Sequence, residues 1–223
     1  MRQQEDLKKA SNILGQDKWK LIQQDCIEHM ESLPENVFDF SVYSPPCPSL
    51  FSYSDKANDI GNCNDLHGDA KLHFSFFFKQ IIRVIKPGRV MMVHCMHIPP
   101  LARNDETSMY DFRGLLIKLA IRAGFTYDTD WAFTRNPQAQ AIRTHSHKLL
   151  FVTMERDRTI SAPALNDYLI KFRAPGQNEV PVCNKEITRN EWINWAEGVW
   201  SWSDIKETDN LNTAEAKDEK DTK

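Results

Sequence analysis

Two consecutive prolines, Pro45 and Pro46, follow directly on a β-rich run at residues 37–43 (VFDFSVY). Neither can donate to a sheet ladder and each holds its φ at about −65°, so a strand entering this point must end at Ser44 and leave on a fixed path. Downstream, residues 73–85 (HFSFFFKQIIRVI) are strongly apolar over helical length, and Lys86-Pro87-Gly88 carries the chemistry of a helix end. Residues 90–94 (VMMVH) then read as a buried strand. Strand, helix, strand at this spacing is a βαβ unit, which implies a parallel sheet with a right-handed crossover and an α/β fold.

The remaining elements follow from the same signals. Residues 1–18 are a polar lead-in, and residues 19–24 (WKLIQQ) read as a short strand ending at Asp25-Cys26. A helical pattern over 26–33 stops at Pro34, and Glu35-Asn36 turns into the β-rich run. Residues 48–70 are rich in Ser, Asp, Asn and Gly, a loop too long for a mere connection and therefore functional or mobile. Residues 111–123 place Phe112, Leu115, Leu116, Leu119 and Ala120 on one helical face, with Gly124 just past the end. Two β-like runs, 131–134 and 148–153, flank a loop with Asn136-Pro137-Gln138 and His145-Ser146-His147, and predict an antiparallel pair. From residue 155 the sequence turns mixed polar and aromatic and predicts a second small module over 155–206; residues 207–223 are charged and predict a solvated, disordered tail.

With 223 residues, 41% of them hydrophobic, the chain is long enough for one or two domains with a real core. A formal charge of −3 argues against a protein that coats nucleic acid by bulk positive charge, though a local basic groove stays open. No window approaches the roughly 18 to 20 apolar residues that span a bilayer, so the expected setting is cytoplasmic. The five cysteines, Cys26, Cys47, Cys63, Cys95 and Cys183, are odd in number and lack a CxxC pair, which fits reduced thiols. His67, His73, His94 and His97 lie near Cys63 and Cys95 in sequence, but the spacing matches no zinc knuckle and no metal is expected.

A polar residue at the carboxyl end of a parallel strand sits where open α/β sheets hold their ligands. With the backbone rigidified by the prolines, the Ser44 hydroxyl and the Pro45 carbonyl can both accept hydrogen bonds from one external NH₂ group. The exocyclic amine of adenine or cytosine is a poor nucleophile because its lone pair is delocalised into the ring. Two acceptors that draw its protons out of the ring plane localise the pair and aim it at an electrophilic methyl group, catalysis by positioning and electrostatics.

On these residues, 19–154 resembles the N4-cytosine/N6-adenine DNA methyltransferases, whose signature is [Ser/Asp/Asn]-Pro-Pro-[Tyr/Phe/Trp]. Ser44-Pro45-Pro46 match it, and Asp25-Cys26, the Leu-Pro-Glu-Asn turn and Lys86-Pro87-Gly88 follow in the family's order. The resemblance implies a Rossmann-like methyltransferase sheet, S-adenosyl-L-methionine as methyl donor, double-stranded DNA as partner and a place in restriction-modification. It puts Asp25 and Cys26 at the adenosyl part of the donor and 155–206 in the target-recognition position. Basic and aromatic residues there, among them Lys171, Arg173 and Arg189, become candidates for phosphate and base contact, with Trp192, Trp195, Trp200 and Trp202 read as packing. Arg143, His145 and His147 become candidates for the flipped base or the backbone.

The chain departs from the family twice. Cys47 stands where a ring stacks on the flipped base. Either Phe51 or Tyr53 takes over, or Cys47 packs on the base as a small polarizable group; the reaction needs no thiolate. Serine in the first position leans loosely toward cytosine N4 and leaves adenine open. The second departure is that no Phe-x-Gly-x-Gly segment occurs in the chain. The resemblance then implies a sheet lacking its donor-binding strands, either a gap beside the strand that ends at Ser44 or a first strand docked elsewhere, and a second polypeptide carrying the missing half. Two other classes stay open, an inactive DNA-binding remnant and an amino-methyltransferase acting on RNA or protein glutamine.

Overall fold

Asp25 opens the first helix by turning its side chain back on the backbone. Its Oδ1 accepts from the N–H groups of Ile27 (2.9 Å) and Glu28 (3.3 Å), capping α1, Cys26–Ser32, which stops short of Pro34. The computed structural model describes residues 19–63, 67–99, 108–136, 151–161, 166–181, 183 and 187–201. Strand β1, Phe38–Tyr43, ends one residue before the two prolines. Helix α2, Asp69–Val84, buries Ala70, Phe74, Phe78, Ile81 and Val84, a spacing of three and four that lays one stripe on the sheet. Strand β2, Ile85–Met96, pairs in parallel with β1 in a register that sets Tyr43 beside Val93, as the βαβ pattern requires.

Helix α3, Phe112–Ala123, is capped by Asp111 and closed by Gly124 at φ 113°, a left-handed conformation that a side chain resists. It buries Phe112, Leu116, Leu119 and Ala120, four of the five residues assigned to its apolar face. Strand β3, Thr126–Phe133, short helix α4, Phe151–Arg156, strand β4, Asp167–Arg173, helix α5, Arg189–Trp195, and the two-residue β5, Val199–Trp200, complete the described α-helices and strands. The five strands form one sheet in the order β1-β2-β4-β3-β5, with β4 antiparallel to both neighbours. Strands β1, β2 and β3 therefore share a direction and put their carboxyl ends at one edge.

Among the described residues the core lies on one face of the sheet. Met91, Val93 and Cys95 of β2 and Ile170 and Phe172 of β4 point the same way and pack under Phe74, Phe78 and Ile81 of α2 and Phe112, Leu116 and Leu119 of α3. On β1 the residues of opposite parity, Phe38, Phe40 and Val42, remain 40%, 55% and 61% exposed. No helix among the described residues is long and apolar enough to cross a membrane. Cys26, Cys95 and Cys183 are free thiols.

Four expectations are corrected. Residues 19–24 form no strand: Leu21 and Ile22 are exposed, and an isolated extended segment gains nothing without a partner alongside. Lys86-Pro87-Gly88 does not separate helix from strand; β2 starts directly at Ile85 and carries these residues as a bulge, so that Phe38 pairs with Ile85 but Phe40 with Val90. Gly88 permits this with φ 70° and donates its N–H to Pro175 O at 3.2 Å. Third, Phe151–Thr153 are helical, the rest of the run expected as a strand at 148–153 lies outside the described residues, and the antiparallel partner of β3 is β4. Fourth, the strands within 155–206 are not a separate module: β4 enters the middle of the main sheet and β5 extends it.

Candidate active site

Ser44 stands exposed at the carboxyl end of β1, one residue beyond the Tyr43–Val93 pair, with Pro45 buried behind it. Tyr43 anchors the approach from below, its ring edge-on to Phe77 at 4.9 Å and its hydroxyl 3.8 Å from the Met91 sulfur. Desolvation there, with Cys95 and Cys26 nearby, pushes the Tyr43 phenol well above its ordinary range. Cys47 is half-buried and packs against the core; Cys95 behind it is kept a neutral thiol by burial.

The loop after the prolines is built by its polar residues. Asp59 accepts from Gly61 N (2.8 Å) and Ser54 Oγ (2.9 Å), and Asn62 donates to Ser54 O (2.6 Å) and Lys56 O (3.1 Å). Ser49 N donates to Gly61 O at 3.0 Å and closes the base of the loop. Gly61 is needed, because a Cβ there would stand 2.6 Å from Phe51 O and from the Tyr53 ring. Phe51 and Tyr53 face each other edge-on at 6.4 Å, and Tyr53 is 60% exposed.

Asp25 lies on a polar cavity of about 290 Å³ lined also by Gln23, Gln24, Ser54, Lys56, Asn58 and Asp59. Its Oδ2 accepts from Asn58 Nδ2 at 2.8 Å, so the carboxylate ties α1 to the loop after the prolines as well as capping the helix. Donors and acceptors around this cavity suit a group that bears hydroxyls and amines. Desolvation and the Asp25 carboxylate push the Cys26 thiol up, so its sulfur is neutral at pH 7.

Sequence reasoning missed the most developed polar cluster of this edge. Asp167, the first residue of β4, is 3% exposed; its Oδ2 accepts from His94 Nε2 at 2.9 Å and from Arg135 through Nε at 2.9 Å and through Nη2. Burial would push its carboxyl up, but the hydrogen bonds and charges of His94 and Arg135 outweigh it and hold the carboxyl below its usual range. Beside it, His97 meets Tyr168 edge-on at 5.3 Å, and burial lowers its basicity despite Asp111 at 3.3 Å. The signal for His94 was a polar residue closing an apolar strand. Asp167 gave none until β4 was known to lie beside β2.

The other candidates are dispersed. Lys171 and Arg173 sit four and six residues along β4 from Asp167, roughly 13 and 20 Å from the carboxyl edge, and both face Asp128 at 3.5 Å. The structure does not bring them to Ser44. Arg189 is exposed at the start of α5, whose capping box joins Thr188 and Glu191. Trp192 and Trp195, expected to pack, are 66% and 54% exposed, whereas Trp200 does pack, on Trp131 and Phe133. Arg143, His145, His147 and Trp202 lie outside the described residues. Among the described residues no group of His, Cys, Asp and Glu converges as a metal site.

Three parallel strands ending at one edge, an antiparallel strand inserted between the second and third, and a polar turn at the end of the first define a Rossmann-like methyltransferase fold. No protein-family model matches the sequence, and no curated protein matches it. Among solved structures the chain is similar to a candidate DNA modification methylase of Thermus thermophilus, at 14% identity and TM-score 0.57 over 80% of this chain. The same protein complexed with S-adenosyl-L-methionine aligns at 12% identity and TM-score 0.56 over 79% of this chain. The PvuII DNA methyltransferase, cytosine-N4-specific, aligns at 17% identity and TM-score 0.50 over 80%. The chain spans 65%, 66% and 55% of the length of these three.

Proposed function

We propose that the chain is the target-amine half of an S-adenosyl-L-methionine-dependent DNA methyltransferase acting on cytosine N4 or adenine N6. The observation that carries this reading is Ser44 exposed at the carboxyl end of β1, directly before Pro45 and Pro46, in a methyltransferase sheet. Ser44 Oγ and the Pro45 carbonyl accept the two amine protons and turn the nitrogen lone pair out of the base plane. Phe51 and Tyr53 offer the flipped base a face in place of the ring missing at Cys47. The donor, when bound, supplies an electrophilic sulfonium methyl group; Asp25 and the cavity beside it would hold its adenosyl part.

The exposed edge of β1 supports the need for a second half. Among the described residues strand β1 ends the sheet, its apolar residues Phe38, Phe40 and Val42 lie open, and residues 19–24 do not cover them. A parallel strand from a donor-binding half would satisfy the free backbone groups of β1 and bury these side chains. The test is transfer of labelled methyl groups from S-adenosyl-L-methionine to duplex DNA, with and without a supplied donor-binding half. Ser44→Ala should abolish transfer and leave DNA affinity within about twofold. Equal loss of both would show a folding role, and micromolar donor binding by the chain alone would sink the need for a second half.

A further inference from the structure

We propose that His94 is the proton acceptor behind Ser44, a role that rests on the amine-transfer reading of the site. Serine in the first motif position creates the need. Once the amine nitrogen bonds to the methyl carbon and the carbon–sulfur pair returns to sulfur, the nitrogen is a cation that must lose a proton. A carboxylate in that position could take it; a hydroxyl can only pass it on, accepting one proton as it releases another.

The parallel register supplies the acceptor. Tyr43 and Val93 are the last pair of β1 and β2, and continuing that register by one residue sets Ser44 beside His94 at the carboxyl edge. Pleating turns both to the same face, opposite that of Tyr43 and Val93. Neighbouring parallel strands run about 4.8 Å apart, within reach of a hydroxyl and an imidazole. Ser44 is exposed, and the His94 side chain keeps 35% of its surface open. In the neutral ring the nitrogen facing a carboxylate carries the hydrogen, so the 2.9 Å bond from Nε2 to Asp167 leaves the Nδ1 lone pair as the acceptor.

Asp167 is built to hold that ring. It is buried, anchored from the other side by Arg135, and its Oδ1 is enclosed without a hydrogen-bond partner among the described residues. The negative charge of this carboxylate, 2.9 Å from Nε2, favours a ring that gains charge. The proton path balances: amine N–H to Ser44 Oγ, Ser44 O–H to His94 Nδ1, and the imidazolium, stabilised by Asp167, then releases its proton to water. Arg135 keeps the carboxylate in place and takes no part in the transfer.

Two readouts test the role. In the chain by itself, nitrogen-15 NMR at mildly alkaline pH should show His94 protonated at Nε2, with an Nδ1 resonance that moves on Ser44→Ala; the opposite tautomer, or an Nδ1 signal indifferent to Ser44, overturns the link. In methyl transfer with a donor-binding half supplied, His94→Gln should lower kcat about 100-fold with KM for DNA unchanged. Activity of His94→Gly should return with added imidazole, which a purely structural role would not allow. An active wild type with an equally active His94→Gln, or a His94→Gly that imidazole cannot rescue, overturns the proposal. A wild type inert toward every amine acceptor would instead overturn the reading of the site, and the role with it.

Discussion

At the scale of single residues, the approach to the candidate site is governed by groups kept in one charge state. Tyr43 lies directly before Ser44, and desolvation favours its neutral phenol in the folded chain. A group whose folded-state value is raised stabilises the fold fully below its unfolded value, near pH 10, and that contribution is lost as pH climbs through the folded value. Tyr43→Phe should therefore flatten the decline of urea-unfolding stability above about pH 10. Phenolate absorbance should show one late-titrating tyrosine lost in the variant while Tyr127, also raised by burial and Asp130, remains. Ser44-Pro45-Pro46 was readable from the sequence because proline restricts the backbone whatever surrounds it. Asp167 was not, because its meaning depends on a strand partner 73 residues away in His94.

Among elements, α2 was recognisable from its apolar run and α3 from periodicity and its closing Gly124, and four of the five residues assigned to the apolar face of α3 are buried. The errors came where tertiary pairing decides. Residues 19–24 have strand composition without a neighbour, and Pro87-Gly88 carries helix-end chemistry yet sits inside β2, where Gly176 gives Pro87 room and Gly88 meets Pro175. Helix α2 lays five buried residues on the sheet's covered face. Phe78, 0% exposed and edge-on to Phe77, sits in the middle of its stripe. Phe78→Ala should cost about 3 to 5 kcal/mol, a large part of a typical domain's total, measured as a drop in the urea midpoint with little change in slope. A cost below about 1 kcal/mol would mean that the stripe repacks.

For the whole molecule, the asymmetry of the sheet sets what the chain can do by itself. One face is closed by helices, while the edge strand that leads to Ser44 shows three apolar side chains to solvent. Val42→Lys should leave the chain's own unfolding midpoint nearly unchanged, since Val42 is 61% exposed, and should block co-purification with a donor-binding half. Undiminished association would place the contact elsewhere. The strand order carries a different consequence for how the molecule is made. Among the described residues, strand β3 pairs only with β4 and β5, both of which lie later in the chain. During synthesis the β1-α2-β2 unit can close on itself, but β3 must wait, unpaired, until residue 173 has left the ribosome and β4 slides in beside β2. The step that completes the sheet is thus the same one that delivers Asp167 to His94, so a nascent chain has no assembled carboxyl edge until its fourth strand arrives.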